Sequence, residues 1–273
     1  MSLAGHASLE EAKKPRGQEP RRQRVFSNVL SSRRIRTRCR AVPDKEWCPG
    51  CPIRPRASTD FCHILDTMRE ILPGILMWGS TYADRPWDLN GYAITLSGCT
   101  VLVDPPAPEE GDWPKFDALK QISKIVLTNR DHVRDTKLFG TRYGARLVAG
   151  TDEVTQFAPL AIDEAVREGD LLAGALRVIH LPGKSPGEIG LYLDPAHHAI
   201  SRELGGILLL GDAIIGHPPG ALGLIPEHKL DNPAKLKQSL QKVLDYDFDV
   251  LLLCDGQPVL RGGKLKVAEF LNT

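Results

Sequence analysis

A cluster of polar and ionisable side chains follows a strand-type apolar run in the stretch IVLTNRDHVRDT, residues 125–136. Asn129 and Asp131 offer oxygen ligands for a cation, and His132 offers an imidazole that can bind a metal or move a proton. Arg134 offers a guanidinium that can hold an anion. Because loops that follow buried strands are positioned by a rigid scaffold, the stretch predicts a catalytic or binding loop.

Four further apolar runs lead into single ionisable residues. They are VLVD with Asp104, HLPGK with Lys184, LLLGD with Asp212 and LLLCD with Asp255. One acidic residue after a strand is usually a turn residue, whereas a series of them predicts that the loops converge. The oxygen donors of Asp131, Asp212 and Asp255 suit Mg²⁺ or Mn²⁺ better than Zn²⁺.

These residues need strands to position them, and the chain from Met68 onward supplies many. Short apolar runs broken by Gly and Pro predict β-strands, namely ILPGILMWGS, GYAITLSG, TVLVDPP, SKIVLTN, ARLVAG, LRVIHLPG, EIGLYLD, GGILLLGDAII and FDVLLLCDG. WPKFDALKQI and NPAKLKQSLQKVLDYD read as helices, the second capped by Asp231 or Asn232 and opened by Pro233. Many strands, few helices and no clean βαβ alternation predict an α+β sandwich of two sheets with helices outside.

Residues 1–66 differ in character from the rest of the chain. They carry 14 Lys and Arg against 7 Asp and Glu, a net charge of +7, so the remainder carries −6. They are rich in Arg, Pro and Ser and lack apolar periodicity, so they cannot bury enough apolar surface to offset the entropy of ordering. We expect a disordered basic N-terminal arm over residues 1–66 and one folded domain over residues 67–273.

Three interpretations of this arm stay open. It is a solvated tail or an over-extended start, with Met68 as the true first residue; or it is an organelle transit peptide, since RVFSNVLSSRRIRTRCR is rich in Arg and Ser. The third interpretation is a nucleic-acid tail, which is the least favoured because aromatic residues that stack on bases are nearly absent. No apolar stretch reaches the roughly 18 to 20 residues that span a bilayer, so we expect a cytoplasmic protein without a membrane partner.

The arm also contains a cysteine cluster. Cys39, Cys48, Cys51 and Cys62 have the spacing C-x8-C-x2-C-x10-C. Four thiolates could ligate zinc or an iron–sulfur cluster, but this spacing matches no established motif, and unligated thiols are the simpler interpretation.

The order of the strand-end motifs resembles the metallo-β-lactamase fold superfamily, which includes glyoxalase II-like hydrolases, from about Leu72 to Leu271. LNGYAITLSGCTVLVDPP is similar to the strands before the family's first metal loop, and LTNRDHVRD is similar to the loop itself. HLPGKSPGE resembles the family's HTPGHTPGS turn, Gly211-Asp212 its GD and Cys254-Asp255-Gly256 its terminal GHG. The resemblance implies a four-layer αββα sandwich with a hydrolytic metal site.

Matched position by position, most of the family's metal ligands are replaced. The substitutions are Asn129, Asp131 and Arg134 for histidines, Val133 for an aspartate, and Lys184 and Asp255 for histidines. Asp212 is the one ligand of seven that is retained. His132 falls on a non-ligand position, and His180 matches a histidine that the family does not use as a primary ligand. His217 and His228 follow Asp212 and could line the pocket mouth, although a surface loop is the simpler interpretation.

Three functions stay open for such a site. In a pseudoenzyme, the two cations Arg134 and Lys184 nearly neutralise the three carboxylates without a metal. In a binding module, the same two cations hold a small anionic ligand. In an active hydrolase of an ester, thioester or phosphoester, Asp131, Asp212 and Asp255 hold a non-zinc divalent metal, or Asp212 acts as general base with Lys184 or Arg134 stabilising the oxyanion.

The position of Lys184 separates these alternatives. An ion-pair network predicts its ammonium group among the carboxylates, whereas a metal site predicts that it is turned away. Strand ends that are merely capped would not converge at all. We favour the network and expect at most one divalent cation, Mg²⁺ or Mn²⁺ rather than Zn²⁺.

Overall fold

The computed structural model describes residues 68–81, 85–196 and 199–272. The predictions for the arm, and for a metal at Cys39, Cys48, Cys51 and Cys62, lie outside the described residues. Within the described ranges no helix is both long and apolar enough to cross a membrane.

The described strands form two sheets. The first sheet contains β1 (Arg69–Leu72), β2 (Ile75–Ser80), β3 (Leu89–Thr95), β4 (Thr100–Val103), β5 (Ile122–Leu127), β6 (Arg146–Gly150) and β7 (Glu164–Val166), in chain order. The second contains β8 (Leu171–Leu172), β9 (Leu176–His180), β10 (Ile189–Leu193), β11 (Ile207–Leu210) and β12 (Val250–Leu253), and here too each strand pairs with the next one in the chain. The helices are α1 (Trp113–Asp117), α2 (Thr136–Tyr143), α3 (Ala199–Leu204), α4 (Pro233–Val243) and α5 (Gly263–Leu271).

The first sheet changes direction at β4. Strands β1 to β4 pair antiparallel, whereas β4 to β7 pair parallel, with α1 and α2 in the first two crossovers. Strands β4 to β6 therefore form two βαβ units, which the sequence does not show as a clean alternation. The helices were hard to recognise because α1 has only 5 residues and ends at Asp117, well before the predicted end of WPKFDALKQI. In α2 the apolar pattern is broken, since Leu138 is exposed beside the buried Phe139.

The two sheets pack face to face with helices on both outer sides. The central layer joins residues of both sheets, including Val126 of β5 and Leu191 of β10. Phe116 and Phe139, from α1 and α2, cover the outside of the first sheet, and Leu236 and Val267 of α4 and α5 cover the second. The four-layer αββα sandwich predicted from the resemblance is confirmed.

The turn between β9 and β10 is fixed against the start of α4. Asn232 caps this helix by accepting a hydrogen bond from the Lys235 amide at 2.9 Å, and its own amide donates to the Gly183 carbonyl at 2.7 Å. Gly183 has φ +147°, and a Cβ built there would lie 2.3 Å from the Leu236 Cα.

We expect Gly183→Ala to lower the free energy of unfolding by about 1–3 kcal/mol, because the α4 backbone would have to move. Urea unfolding followed by circular dichroism measures the loss. Gly98→Ala is the matched control, since no atom lies within 4 Å of its Cβ position. Equal midpoints for the two variants would contradict the close approach of turn and helix.

Candidate functional site

Loops from both sheets meet at one edge of the sandwich. Strands β4, β5 and β6 are parallel, as are β11 and β12, so each group brings its carboxyl ends to one edge. The β9–β10 turn joins them because the Ile189 amide donates to the Thr128 carbonyl at 2.8 Å. The structure brings together Asn129, Asp131, His132, Arg134, Lys184, Asp212 and Asp255.

Lys184 lies at the centre of this group, with 1% of its side chain exposed. Its Nζ donates to Asn129 Oδ1 at 2.8 Å and to Asp131 Oδ2 at 2.6 Å, and lies 3.0 Å from Asp212 Oδ2. Burial alone would lower the pKa of Lys184, but the neighbouring Asp212 and Asp131 carboxylates raise it. Lys184 is therefore a buried cation whose ammonium group faces three oxygen acceptors.

The loop after β5 is shaped by two acceptor side chains. Asn129 Oδ1 accepts a hydrogen bond from the Asp131 amide at 2.9 Å and so caps the short turn Arg130–His132. The Asp104 carboxylate accepts hydrogen bonds from the Thr128 amide at 2.8 Å and from its hydroxyl at 2.5 Å. Asp104 has φ +45°, a conformation that non-glycine residues rarely adopt. Its hydrogen bonds hold the strained backbone and direct the carboxylate towards the loop.

His132 joins two of the carboxylates. Its Nδ1 lies 2.7 Å from Asp104 Oδ2, and its Nε2 lies 3.3 Å from Asp212 Oδ1. Burial and the Arg134 cation would lower the pKa of His132, but Asp212 and Asp104 outweigh them and raise it to about 10. The motif resemblance gives His132 a non-ligand position, yet its buried ring lies at the centre of the site.

We expect stability to depend on the protonation of His132. A folded-state pKa of about 10 against the ordinary 6.5 means that its stabilising effect is complete below pH 6.5 and is lost as the pH rises towards 10. Urea unfolding of the wild type at a series of pH values tests this, with His132→Asn as the control that removes this contribution. An imidazole NMR signal titrating near its ordinary pKa would contradict the expectation.

Arg134 ties the two sheets together. Its Nη1 donates to the carbonyls of Asn90 at 2.7 Å and Asp104 at 2.9 Å, both in the first sheet or just after it. Its Nη2 donates to the Cys254 carbonyl at 3.0 Å and to Asp255 Oδ1 at 2.7 Å, both after β12. The guanidinium is almost fully buried and four of its hydrogen bonds are internal, so it has little capacity to bind a ligand.

Asp212 and Asp255 differ in their environments. Burial would raise the pKa of Asp212, but His132 and then Lys184 hold it well below its ordinary value. Burial raises the pKa of Asp255, and the nearby Asp212 adds to this effect, although His132 opposes it. The indole of Trp87 donates to Asp255 Oδ2 at 2.8 Å. Sequence reasoning missed Trp87, because it lies in a loop without periodicity.

A buried glutamic acid behind the site was also missed. Glu188 Oε1 accepts a hydrogen bond from the Ala213 amide at 2.8 Å, while its Oε2 has no partner among the described residues. Burial and the neighbouring Asp212 raise the pKa of Glu188 well above its ordinary value. Its place in the sequence PGE, within a motif assigned to the turn, gave no sign of a buried carboxyl group.

His180 lies apart from the other predicted site residues. Its half-buried ring has Nε2 2.8 Å from the Pro186 carbonyl and 3.6 Å from Asp152, and it does not line the cleft beside the site. His228 does line that cleft. His217 lies outside this cleft and packs against Trp87, with ring centroids 5.4 Å apart.

The cleft beside the buried group has a volume of about 480 Å³. It is lined by Arg85, Trp87, Arg130, Asp131, His132, Lys184, Asp212, Ile225, His228, Lys229, Asp231 and Asp255. This volume lies in the range of small-molecule sites in proteins, about 300–1,000 Å³.

Two groups of side chains have ligand atoms close enough to share a cation. Asp104, His132 and Cys254 form one, and His132, Asp212 and Asp255 form the other, with the atoms of each within 4.8 Å of one another. The described residues therefore include possible metal-binding sets, and His132 rather than Asp131 accompanies Asp212 and Asp255.

The fold and the strand-end loops define a metallo-β-lactamase-type sandwich. The sequence profile of the Metallo-beta-lactamase superfamily matches residues 68–273, so the chain belongs to this family. No curated protein matches the chain at a significant level.

Several solved structures share this fold. BJP-1, a subclass B3 metallo-beta-lactamase of Bradyrhizobium japonicum, is 19% identical with a TM-score of 0.55, over 76% of this chain and 90% of that one. A metallo-beta-lactamase family protein of Thermus thermophilus has the same identity, 19%, and TM-score, 0.55, over 74% of this chain and 80% of that one. The metallo-beta-lactamase of Pontibacter korlensis is 14% identical with a TM-score of 0.58, over 75% and 96%. At these identities the likeness concerns the fold alone.

Proposed function

We propose that the domain is a metal-independent binding protein, a pseudoenzyme in which an ion-pair network stands where the family holds its metal ions. The observation that carries the proposal is the buried Lys184 ammonium group, 2.6 Å from Asp131 and 3.0 Å from Asp212. Asp212 stands at the one family ligand position that the sequence retains. Its carboxylate is already neutralised by a cation of the protein itself.

The charges of the site support this interpretation. Lys184, Arg134 and the protonated His132 are three cations, and they face the carboxylates Asp104, Asp131, Asp212 and Asp255. A divalent cation at Asp212 would lie close to Lys184. Like unit charges 4 Å apart repel by about 4 kcal/mol at an effective dielectric constant of about 20.

The donor set does not fit the family's zinc centre. Zinc sites are built mainly from neutral imidazoles and thiolates with a few carboxylates. Here the site offers one imidazole, His132, and that ring is protonated and directed at Asp104 and Asp212. We therefore derive no catalytic step through a metal ion.

A binding role requires a ligand site beyond the network. Lys184 and Arg134, the two cations that the sequence suggested for an anion, are both occupied by internal acceptors. The cleft beside them has the size of a small-molecule site and opens over the network. We assign ligand binding to this cleft.

The alternative is an active hydrolase with a divalent metal. The close approach of the His132, Asp212 and Asp255 ligand atoms favours it. A bound metal ion would require Lys184 to leave its three acceptors. It would also require His132 to lose a proton before its ring could act as a ligand. It also leaves Asp131, which binds Lys184, without the metal-ligating role expected from the sequence.

Metal content distinguishes the two candidates. The full-length protein and Asp212→Ala are incubated with Zn²⁺, Mn²⁺ and Mg²⁺, freed of unbound metal and subjected to elemental analysis. We expect the wild type and the variant to contain the same amount of metal. Any ion bound by the arm cysteines would be present in both proteins and would not affect the difference. About one ion per chain in the wild type, lost in Asp212→Ala, would establish the metal-dependent alternative.

A further inference from the structure

We infer that the cleft binds a small dianion of the phosphate-monoester class, held by Arg85 and Lys229. This inference rests on the proposed function, since it takes the buried network as complete without a metal. It assigns ligand binding to cations different from those that the sequence suggested.

Each acidic residue of the cleft has a cationic partner in the protein itself. Asp131 pairs with Lys184, and Asp231 pairs with Arg130 at 2.7 Å. The other two, Asp212 and Asp255, pair with Lys184 and Arg134. Lys184 is shared by Asp131 and Asp212, so the buried network by itself keeps one excess negative charge.

The cations of the cleft are not all used. Arg85 and Lys229 line it, and neither side chain has an ion-pair partner among residues 68–81, 85–196 and 199–272. Because the buried network has three cations against four carboxylates, these two residues leave the site as a whole with an excess of one positive charge. Two unpaired cations in a cleft with a buried, rigid base match a ligand with two negative charges better than one with a single charge.

The walls of the cleft restrict the rest of the ligand. Trp87 is held by its hydrogen bond to Asp255 at 2.8 Å and by the His217 ring at 5.4 Å, so it offers a fixed aromatic surface. Ile225 adds a buried apolar contact. A phosphate group attached to a flat apolar ring would combine these features.

The test uses a dianion and a monoanion of the same shape. Phenyl phosphate is largely a dianion at pH 7.5, because the second pKa of phosphate esters is about 6, whereas phenyl sulfate carries one charge. Binding of each to the full-length protein is measured by isothermal titration calorimetry in buffer containing EDTA. Arg85→Gln and Lys229→Gln are compared with Lys137→Gln, an exposed residue of α2 outside the cleft.

We expect saturable binding of phenyl phosphate. Each cleft variant should bind it about tenfold or more weakly, because a charge-assisted hydrogen bond is lost. Lys137→Gln should bind like the wild type, and phenyl sulfate should bind about tenfold more weakly than phenyl phosphate. No binding of phenyl phosphate with or without added metal, equal binding of the two probes, or equal effects of all three variants would overturn the inference. Binding that requires added Zn²⁺ or Mn²⁺ would instead overturn the proposed function.

Discussion

Lys184→Met is expected to lower the free energy of unfolding by about 3–5 kcal/mol in buffer containing EDTA, the usual cost of removing one partner of a buried ion pair. Methionine keeps most of the side-chain volume but leaves the buried Asp212 without its closest cation. The measurement is urea unfolding at pH 7. Added Mn²⁺ should restore part of the stability of the variant, since Asn129, Asp131 and Asp212 then face the vacated cation position.

The control for this substitution is Lys264→Met. Lys264 pairs with Asp247, whose side chain is 89% exposed, so its removal should cost at most about 1 kcal/mol. A similar small cost for Lys184→Met would mean that the buried ammonium group does not stabilise the site. If Mn²⁺ stabilises the wild type as much as it stabilises Lys184→Met, then Lys184 does not occupy the cation position.

Arg134→Leu is expected to destabilise the protein by a comparable amount, about 3–5 kcal/mol, because Asp255 loses its cation and the backbone carbonyls of both sheet regions lose a donor. Arg134→Lys should also be destabilising, by about 1.5–3 kcal/mol, the value of a hydrogen bond to a charged group. An ammonium group cannot reproduce a planar fork that donates to four acceptors. Urea unfolding again provides the measurement.

Arg261→Leu is the matched control for Arg134. Arg261 is 72% exposed and pairs with Asp249 at 3.2 Å, so we expect a change of at most about 1 kcal/mol. If Arg134→Lys unfolds at the same urea concentration as the wild type, the fork is not needed and the charge alone joins the sheets.

Much of the fold could be predicted because its strands are apolar runs broken by Gly and Pro. The run IVLTN is buried along its whole length, and its end at Thr128 marks the start of the loop correctly. The strand β8 and helix α1 were missed or misjudged because two and five residues do not establish a period. Parallel pairing of β4 to β6 depends on contacts between distant segments, which local patterns do not encode.

The convergence of the site residues could be predicted for the same reason, since they follow strands that end at one edge. The interaction partners of each residue could not be predicted from the sequence. Asp104 was noted only as a strand end, but it holds both Thr128 and His132. The carboxyl group of Glu188 is buried behind Asp212 through sheet packing, a position that its sequence neighbours do not indicate.

The central claim is that the Lys184 ammonium group occupies the cation position of the family. The most direct test is a crystal structure of the full-length protein grown with Mn²⁺ and measured at a wavelength where manganese scatters anomalously. We expect Lys184 density between Asn129, Asp131 and Asp212, without an anomalous peak among them. An anomalous peak beside His132, Asp212 and Asp255, with Lys184 turned away, would contradict the claim.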